Sequence, residues 1–321
     1  MLKRIGVLTS GGDSPGMNAA TRAVVRTAIH SNVEVFGIRN GYKGLIEGDI
    51  FEMNTRSVSD IIQRGGTVLG TARSKEFTTP DGRRAAYEMM KKFGIEGLVV
   101  IGGDGSLRGA QALSDEQPIS VVGLPGTIDN DIWGMDYTIG CDTAANTIVD
   151  AINKLRDTAS AHQRIAILEV MGRHCGWLAL IAGVAGGAEF ILVPEESYDV
   201  DEICAEITQM YAQSRHRYVL IVIAEGAGSG IELGKTIEEK TGIETRASVL
   251  GHIQRGGSPT VEDRVYASLL GEEAALALIS GVSNVVFSRN NGMPVSVNLH
   301  DAVTRKRKLN MDLFHMAKLL A

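Results

Sequence analysis

Asp104 stands inside Gly102-Gly103-Asp104-Gly105-Ser106, directly after the apolar run Leu98-Val99-Val100-Ile101. Asp129 and Asp131 stand inside Pro125-Gly126-Thr127-Ile128-Asp129-Asn130-Asp131, directly after Val121-Val122-Gly123-Leu124. A carboxylate between glycines is placed to help hold magnesium against a phosphate, and an ionised carboxylate beside a substrate alcohol accepts its proton. The two segments therefore suggest one phosphate-handling site, with Asp104 toward the metal and Asp129 as base. The ordinary readings are a helix N-cap for Asp104 and turn chemistry for Asp129 and Asp131, which accounts easily for one of the pair.

Phosphate charge needs further partners. Gly11-Gly12-Asp13-Ser14-Pro15-Gly16-Met17-Asn18 links a first strand to a first helix, where free amides and the helix dipole favour an anion. It is not a Walker A loop, since Met17 and Asn18 stand where Lys and Ser or Thr would be, and it lacks the dinucleotide Gly-x-Gly-x-x-Gly spacing. Without that lysine, metal and arginine must meet the charge. Arginines occur in compact sets: Arg22 and Arg26 at helical spacing, then Arg156, Arg164 and Arg173, then Arg246 with His252 and Arg255. Most arginines are solvated surface residues. Gly251-His252-Ile253-Gln254-Arg255-Gly256-Gly257 differs in joining a cation, an imidazole and flexible backbone in one loop, a combination suited to a sugar phosphate.

These residues need elements to position them. Apolar runs predict strands at Ile5 to Leu8, Val33 to Ile38, Leu98 to Ile101, Ile119 to Leu124, Ile165 to Val170, Phe190 to Val193, Tyr218 to Ala224 and Asn284 to Phe287. Three- and four-residue periodicity predicts helices at Gly16 to Ser31, Asp81 to Phe93, Asp142 to Ser160, Val200 to Ser214 and Thr260 to Ser280. The alternation predicts an α/β protein with mainly parallel sheets covered by helices. Five expected strands end in unusual polar content: Thr9 to Asp13, Gly102 to Gly105, Gly126 to Asp129, Met171-Gly172-Arg173 and Glu225-Gly226. Open α/β sheets bind ligands at that edge, and five such ends together exceed ordinary turn chemistry.

The bulk properties bound the class. With 321 residues and 44% hydrophobic content the chain is long enough for two α/β domains. A net charge of -6 argues against a nucleic-acid grip, which needs a basic face. No apolar run approaches the roughly 20 residues of a membrane span, and a strand begins within a few residues of Met1, so no secretion signal is read and the cytoplasm is the expected location. Cys141, Cys175 and Cys204 are too widely spaced for a disulfide framework or structural zinc and read as reduced thiols.

Taken together, the segments at Gly11 to Asn18, Ile101 to Ser106, Pro125 to Asp131, Met171 to Arg173 and Gly251 to Pro259 closely resemble those of the bacterial 6-phosphofructokinase family. The resemblance runs through nearly the whole chain and is looser over the last sixty or so residues. It implies two similar Rossmann-like α/β/α domains with the active site in the cleft between them: a larger ATP-binding domain from 1–138 plus 252–305, and a smaller fructose 6-phosphate domain from 139–251 plus 306–321. The implied reaction is transfer of the ATP γ-phosphoryl group to the 1-hydroxyl of fructose 6-phosphate.

By the same resemblance, Gly12, Arg73, Ser74, Gly103, Asp104, Gly105 and Ser106 contact ATP, Asp104 helps place Mg2+, and Asp129 is the proton acceptor, with Thr127, Arg173 and Arg73 sharing in catalysis. Thr127, Ile128, Asp129, Met171, Gly172, Arg173, Glu225, His252, Ile253, Gln254 and Arg255 bind the sugar phosphate, joined by Arg164 and Arg246 from a neighbouring subunit. The resemblance further implies a homotetramer whose effector site takes ADP or GDP as activator and phosphoenolpyruvate as inhibitor. Arg22, Arg26, Arg156, Gly187, Ala188 and Glu189 match that site, whereas Thr55 replaces an arginine beside Arg56, and His216-Arg217-Tyr218 replaces a Lys-Lys-His-like segment, with Arg215 nearby.

Pyrophosphate-using members of the family resemble this chain except for an aspartate after Gly-Gly-Asp and a lysine before Thr-Ile-Asp. Here Gly105 and Gly126 occupy those positions, so ATP is the expected donor. The alternatives are a pyrophosphate-dependent enzyme, a catalytically silent nucleotide sensor, another Gly-Gly-Asp-Gly kinase of the NAD or lipid type, and, least supported, a dinucleotide oxidoreductase.

Overall fold

The computed structural model of the protein describes residues 2–213, 218–290 and 292–320. The chain opens with β1 (Arg4–Ser10), α1 (Met17–His30), β2 (Glu34–Ile38), α2 (Gly41–Glu47) and β3 (Ile50–Met53). It continues with α3 (Pro80–Phe93), β4 (Gly97–Gly102), α4 (Asp104–Glu116) and β5 (Ser120–Pro125). Next come α5 (Cys141–His162), β6 (Ile165–Val170), α6 (Trp177–Gly186), β7 (Phe190–Leu192), α7 (Val200–Ala212), β8 (Val219–Ala224), α8 (Gly230–Thr241) and β9 (Thr245–Val249). The remaining elements are α9 (Val261–Ile279), β10 (Val285–Asn290), β11 (Met293–Asn298), α10 (Leu299–Thr304) and α11 (Met311–Leu320). No described helix is long and apolar enough to cross a membrane.

Two compact units result. The first comprises Met1–Ile128, Ile132–Thr143 and Arg255–Arg307, and the second Asp129–Asp131, Ala144–Gln254 and Lys308–Ala321. The first unit's sheet runs β11-β10-β5-β4-β1-β2-β3, with only the outer strands β3 and β11 antiparallel to their neighbours. The second unit's sheet runs β7-β8-β6-β9 and is parallel throughout.

Strand periodicity explains the layers of the first unit. Ile5, Val7, Val99 and Ile101 point into a core shared with Met17, Val24, Leu270 and Leu278 of α1 and α9, while Leu8, Leu98 and Val100 point to the opposite core with Leu45, Met90 and Leu107 of α2 to α4. Each such buried side chain contributes about 1.5–3 kcal/mol from leaving water. Gly271 lets α9 lie close on α1, since a Cβ there would stand 2.7 Å from the Ala20 carbonyl oxygen. In the second unit Ile165, Ile167, Ile221 and Ile223 form a core with Ile203, Ile207, Leu233 and Ile237 of α7 and α8.

All eight expected strands and all five expected helices are present, with shifted ends. Three strands, β3, β9 and β11, go beyond the expectation, as do the helices α2, α4, α6, α8, α10 and α11. The expected loop around His252 is a short 3-10 turn, Gly251–Arg255.

Candidate active site

The five polar strand ends fall into two groups of neighbours. β1, β4 and β5 lie side by side in the first sheet and are mutually parallel, so Gly11, Gly103 and Gly126 emerge at one edge. The strand order reverses between β1 and β4, which is the position where open α/β sheets hold ligands. β6 and β8 are parallel neighbours in the second sheet, so Met171 to Arg173 and Glu225 also share an edge.

Helix starts differ according to what precedes them. α1, α4 and α6 begin on Gly16, Gly103 and Gly176 with no side-chain cap. By contrast α3, α7, α8 and α9 are capped by Thr79, Asp199, Ser229 and Thr260. Omitting the cap leaves amides at the positive end of a helix dipole available to an anion.

In the first unit the three loops touch. The Gly126 amide donates to the Gly102 carbonyl at 3.0 Å, and a Cβ on Gly102 would lie 2.4 Å from the Ser10 carbonyl oxygen, so only glycine fits there. A Cβ on Gly103 would stand 3.4 Å from Thr127 Cβ, whereas Gly105 faces open space. Gly126 is packed: a Cβ would come within 2.8 Å of Met17 Cε. Gly105 and Gly126 therefore sit in opposite surroundings.

The segment carrying Arg73 and Ser74 is laced to the same edge. Thr71 donates to the Gly11 carbonyl at 2.6 Å, Thr9 donates to the Gly70 carbonyl at 2.8 Å, and Asn18 bonds Arg64, Gly65 and Val68. Arg73 is exposed, and Ser74 Oγ accepts from the Phe77 amide at 3.2 Å. Arg255, expected beside the sugar phosphate, lies against Gly12 and donates to the Asp13 carbonyl at 3.3 Å. The structure thus puts this guanidinium on the β1–α1 loop.

Asp104 is the first residue of α4, and its two carboxylate oxygens accept from Arg108 Nε at 2.9 and 3.1 Å. Ser106 closes the turn by donating its amide to the Gly103 carbonyl at 2.9 Å. Thr127 and Asp129 are buried, 7% and 4% exposed, and the intervening Ile128 is 0% exposed. The Ile128 side chain is therefore core. Asn130 adopts a left-handed φ of 50°, which turns the chain sharply after Asp129.

At the second sheet's carboxyl edge the turn is equally constrained. Gly172 has φ 140° and a Cβ there would stand 2.4 Å from the Cys175 carbonyl, while Arg173 takes a left-handed φ of 52°. The Arg173 amide donates to Glu225 Oε1 at 2.8 Å, leaving the exposed guanidinium directed by a fixed backbone. Gln254 is fully buried; its side chain accepts from the Met171 amide at 3.2 Å and donates to the Gly251 carbonyl at 2.9 Å. Its place is to tie the 3-10 turn to the end of β6. His252 and Ile253 on that turn are exposed.

Arg164 and Arg246 stand at the other edge. Arg164 precedes β6, Arg246 pairs with Ala166 near the start of that strand, and both bond Glu244, at 3.3 and 2.9 Å. The length of β6, roughly 17 Å, separates them from Met171 to Arg173 of the same chain.

Of the residues matched to an effector site, Arg22 and Arg26 share one side of α1, and burial, then the charge of Arg26, lowers the pKa of Arg22. Arg156 donates to the Gly186 carbonyl and, at 2.9 Å, to that of Gly187, where α6 ends. Ala188 is buried, and Glu189 accepts from the Leu220 amide at 2.7 Å. Thr55 and Arg56 lie in a turn closed by Asn54, whose Oδ1 accepts from the Arg56 amide at 2.9 Å. Arg215, His216 and Arg217 lie outside the described residues.

Sequence reasoning passed over Asp263. It reads as an ordinary acidic residue in a helix's first turn, yet it is 0% exposed and accepts from Tyr137, Gly140 and Thr143. No group of three or more metal-binding side chains occurs among the described residues. Asp104 nonetheless fits a magnesium: it offers hard oxygen donors beside the open space at Gly105, and a bound phosphate chain would supply further ligands.

A doubly wound α/β chain with glycine-lined strand ends, a half-buried Asp104 at the start of α4 and a buried Asp129 after β5 defines an α/β protein whose polar groups gather at the carboxyl ends of its strands. The phosphofructokinase family model matches residues 4–278, and the chain belongs to that family. It is 55% identical over 320 residues to the ATP-dependent 6-phosphofructokinase of Clostridium botulinum (strain Hall), with all of both chains covered. Among solved structures it resembles phosphofructokinase from Saccharomyces cerevisiae, at 38% identity and TM-score 0.88 over 94% of this chain, and that from Pichia pastoris, at 37% and 0.90 over 100%. The chain spans 45% and 39% of those two yeast chains.

Proposed function

We infer that this chain transfers the γ-phosphoryl group of ATP to the 1-hydroxyl of fructose 6-phosphate, giving fructose 1,6-bisphosphate and ADP in glycolysis. The observation that carries the reading is the adjacency of β1, β4 and β5, which gathers Gly12, Asp104 and Thr127 at one edge of a parallel sheet. In this reading the first unit takes ATP through the backbone at Gly12 and Gly103 to Ser106, with Arg73 and Ser74 alongside. The second unit takes the sugar phosphate through Met171, Gly172, Arg173, Glu225 and His252.

Asp129 accepts the hydroxyl proton as the alcohol oxygen attacks, and Thr127 precedes it on the same turn. Arg173 and Arg73 supply positive charge to the transferring group, the largest contribution proteins make to this chemistry. Magnesium, when bound with ATP through Asp104, neutralises phosphate charge. The Asp104–Arg108 pair is exposed on the arginine side and is worth at most about 1 kcal/mol, so it yields readily to a metal nucleotide.

ATP rather than pyrophosphate is supported by Gly105, whose open surroundings leave room for the remainder of a nucleotide, and by the packing of Gly126, which leaves no room for a lysine. The position of Arg164 and Arg246 at the far edge of their own sheet supports service to a neighbouring subunit, and a homotetramer is the proposed assembly. ADP or GDP and phosphoenolpyruvate are the proposed effectors, at Arg22, Arg26, Arg156 and Gly187 to Glu189, and the cytoplasm is the proposed location. The test is fructose 1,6-bisphosphate formation with magnesium, run with ATP and with pyrophosphate. ATP-only activity is expected; pyrophosphate-only activity overturns the donor assignment, and no activity with either overturns the enzyme. Effector titration of the fructose 6-phosphate saturation curve tests the regulatory reading, and an unchanged curve rejects it.

A further inference from the structure

Asp263 lies in the first turn of α9, where an acidic residue ordinarily faces water and the helix dipole. Here its carboxylate is turned inward and is fully buried. Oδ1 accepts from the Tyr137 hydroxyl at 2.5 Å and the Gly140 amide at 2.6 Å; Oδ2 accepts from the Thr143 amide at 2.9 Å and from the Thr143 hydroxyl. Thr260 adds a second link, donating its hydroxyl to Asp142 at 2.6 Å and its amide to Thr143 Oγ1 at 3.0 Å. A buried carboxylate is costly unless its lone pairs are filled, and these four donors fill them.

What this carboxylate holds is the inner support of the transfer loop. Between Tyr137 and Gly140, the Thr138 hydroxyl donates to the Thr127 carbonyl at 2.7 Å, and the Ile139 amide donates to the Pro125 carbonyl at 2.8 Å. The end of the β1–α1 loop packs on the same segment: a Cβ on Gly16 would stand 2.8 Å from Ile139 and 3.5 Å from Asp263 Cβ, and one on Gly140 would stand 2.6 Å from Ser14 Cβ. Asp263 therefore lies against Gly16 at the end of the β1–α1 loop, and its carboxylate bonds the residues flanking the Thr127 clamp. Arg289 closes the far side, its guanidinium 3.9 Å from the Tyr266 ring centre and 5.5 Å from that of Tyr137.

We propose that Asp263 is a positioning residue for phosphoryl transfer, setting the register between the β1–α1 loop and the Pro125–Thr127 turn through the Tyr137–Thr143 segment. The proposal rests on the function inferred above. Transfer is sensitive to such register, since misplacement by about 1 Å costs on the order of 100-fold in rate. Asp263→Asn keeps the shape but turns an amide donor toward either the Gly140 or the Thr143 amide, so one side of the clamp opens. Thr138→Val removes only the link to Thr127.

The experiment compares Asp263→Asn, Thr138→Val and the double variant in the full chain, with two readouts: kinetics, and amide hydrogen exchange at Gly126 and Ile139. Asp263→Asn is expected to lower kcat by about 10- to 100-fold with the KM for ATP changed less than about threefold. The double variant should turn over no more slowly than Asp263→Asn alone, because both lesions lie on one path. Exchange at Ile139 should quicken in Asp263→Asn while amides of the β6–β8 sheet stay protected. Multiplying kcat losses, or a lowered melting temperature with kcat and exchange unchanged, overturns the proposal. If Asp263→Asn does not fold, Tyr137→Phe and Thr138→Val carry the same kcat and exchange test. A wild-type chain inactive on fructose 6-phosphate refutes the inferred function, whereas unaltered exchange in folded variants refutes the positioning role, so the two failures are distinguishable.

Discussion

At the carboxyl edge of the first sheet glycine backbone is prominent: Gly12 and Gly105 are exposed, and α1 and α4 begin without side-chain caps. At the carboxyl edge of the second sheet the Glu225 and Gln254 side chains are bonded to the main chain, and Arg173 is held there by its amide with its guanidinium exposed. The first edge suits a ligand recognised by its phosphate chain, since amides and a dipole meet charge of any length. The second suits a ligand of defined outline, where Glu225 and Gln254 have one place each. Substitutions should therefore act by steric exclusion at one edge and by loss of single bonds at the other.

The largest effect is expected where the two schemes meet in sequence. Asp129→Asn should keep the fold and both substrate affinities while lowering kcat by about 10²–10⁴, as loss of a positioned base does; a steady-state assay with normal turnover would remove Asp129 from that role. Next, Arg246→Ala should raise the KM for fructose 6-phosphate by roughly 10- to 100-fold, the worth of a charge-assisted bond, and leave the KM for ATP alone. Mixing Arg246→Ala chains with Asp129→Asn chains then asks which chain's edge the arginine serves. Recovery of activity at low fructose 6-phosphate places it across a subunit boundary, and no recovery places it within its own chain.

The glycine pair sharpens the steric side. Gly105→Asp enters open space, so the melting temperature should hold while the KM for ATP rises on the order of tenfold from carboxylate–phosphate repulsion. Gly126→Lys must displace Met17 and Ile101 and should lower stability by about 1–3 kcal/mol in urea denaturation.

The smallest effect belongs to a pair outside both edges. Glu116, at the far end of α4, accepts from Arg83 at 2.7 and 2.5 Å, and that hydrogen bond, more than the attraction of charge, holds its carboxyl below the usual value. A lowered folded-state pKa stabilises the protein above the unfolded value, about 4.3 for glutamate, and the benefit is lost as pH falls through the folded value. Glu116→Gln should cost about 1 kcal/mol at neutral pH, with the gap to wild type closing below about pH 4.

The strands carrying both edges were legible because they are buried on both faces, so Leu98 to Ile101 and Val219 to Ala224 read as unbroken apolar runs. β3, β9 and β11 were not, since outer strands such as Thr245–Val249 keep exposed positions and lose the apolar signature. α6, Trp177–Gly186, is apolar all round and shows no periodicity, and α4 begins inside a glycine-rich segment that reads as a turn. At the site, residue types placed Asp104 and Thr127 at strand ends. They could not reveal that Gln254 points inward, that Arg255 lies on the Gly12 loop, or that Asp263 is buried, because each depends on contacts with residues far away in sequence.

The packing of α9 on α1 has a consequence for how the chain is made. About 230 residues separate the end of α1 from the start of α9, and β10, which pairs with β5, lies later still. At roughly 5–20 residues per second, the apolar side of α1 around Ala20 and Val24 waits on the order of 10–50 seconds on the ribosome before its cover is synthesised. The first unit is not one continuous stretch, so its α1 core cannot close until Arg255–Arg307 has been made. Slow or interrupted translation should expose this side to holdase chaperones, and a ribosome stalled before residue 261 should carry a chain whose Met1–Ile128 segment protease digests as unfolded.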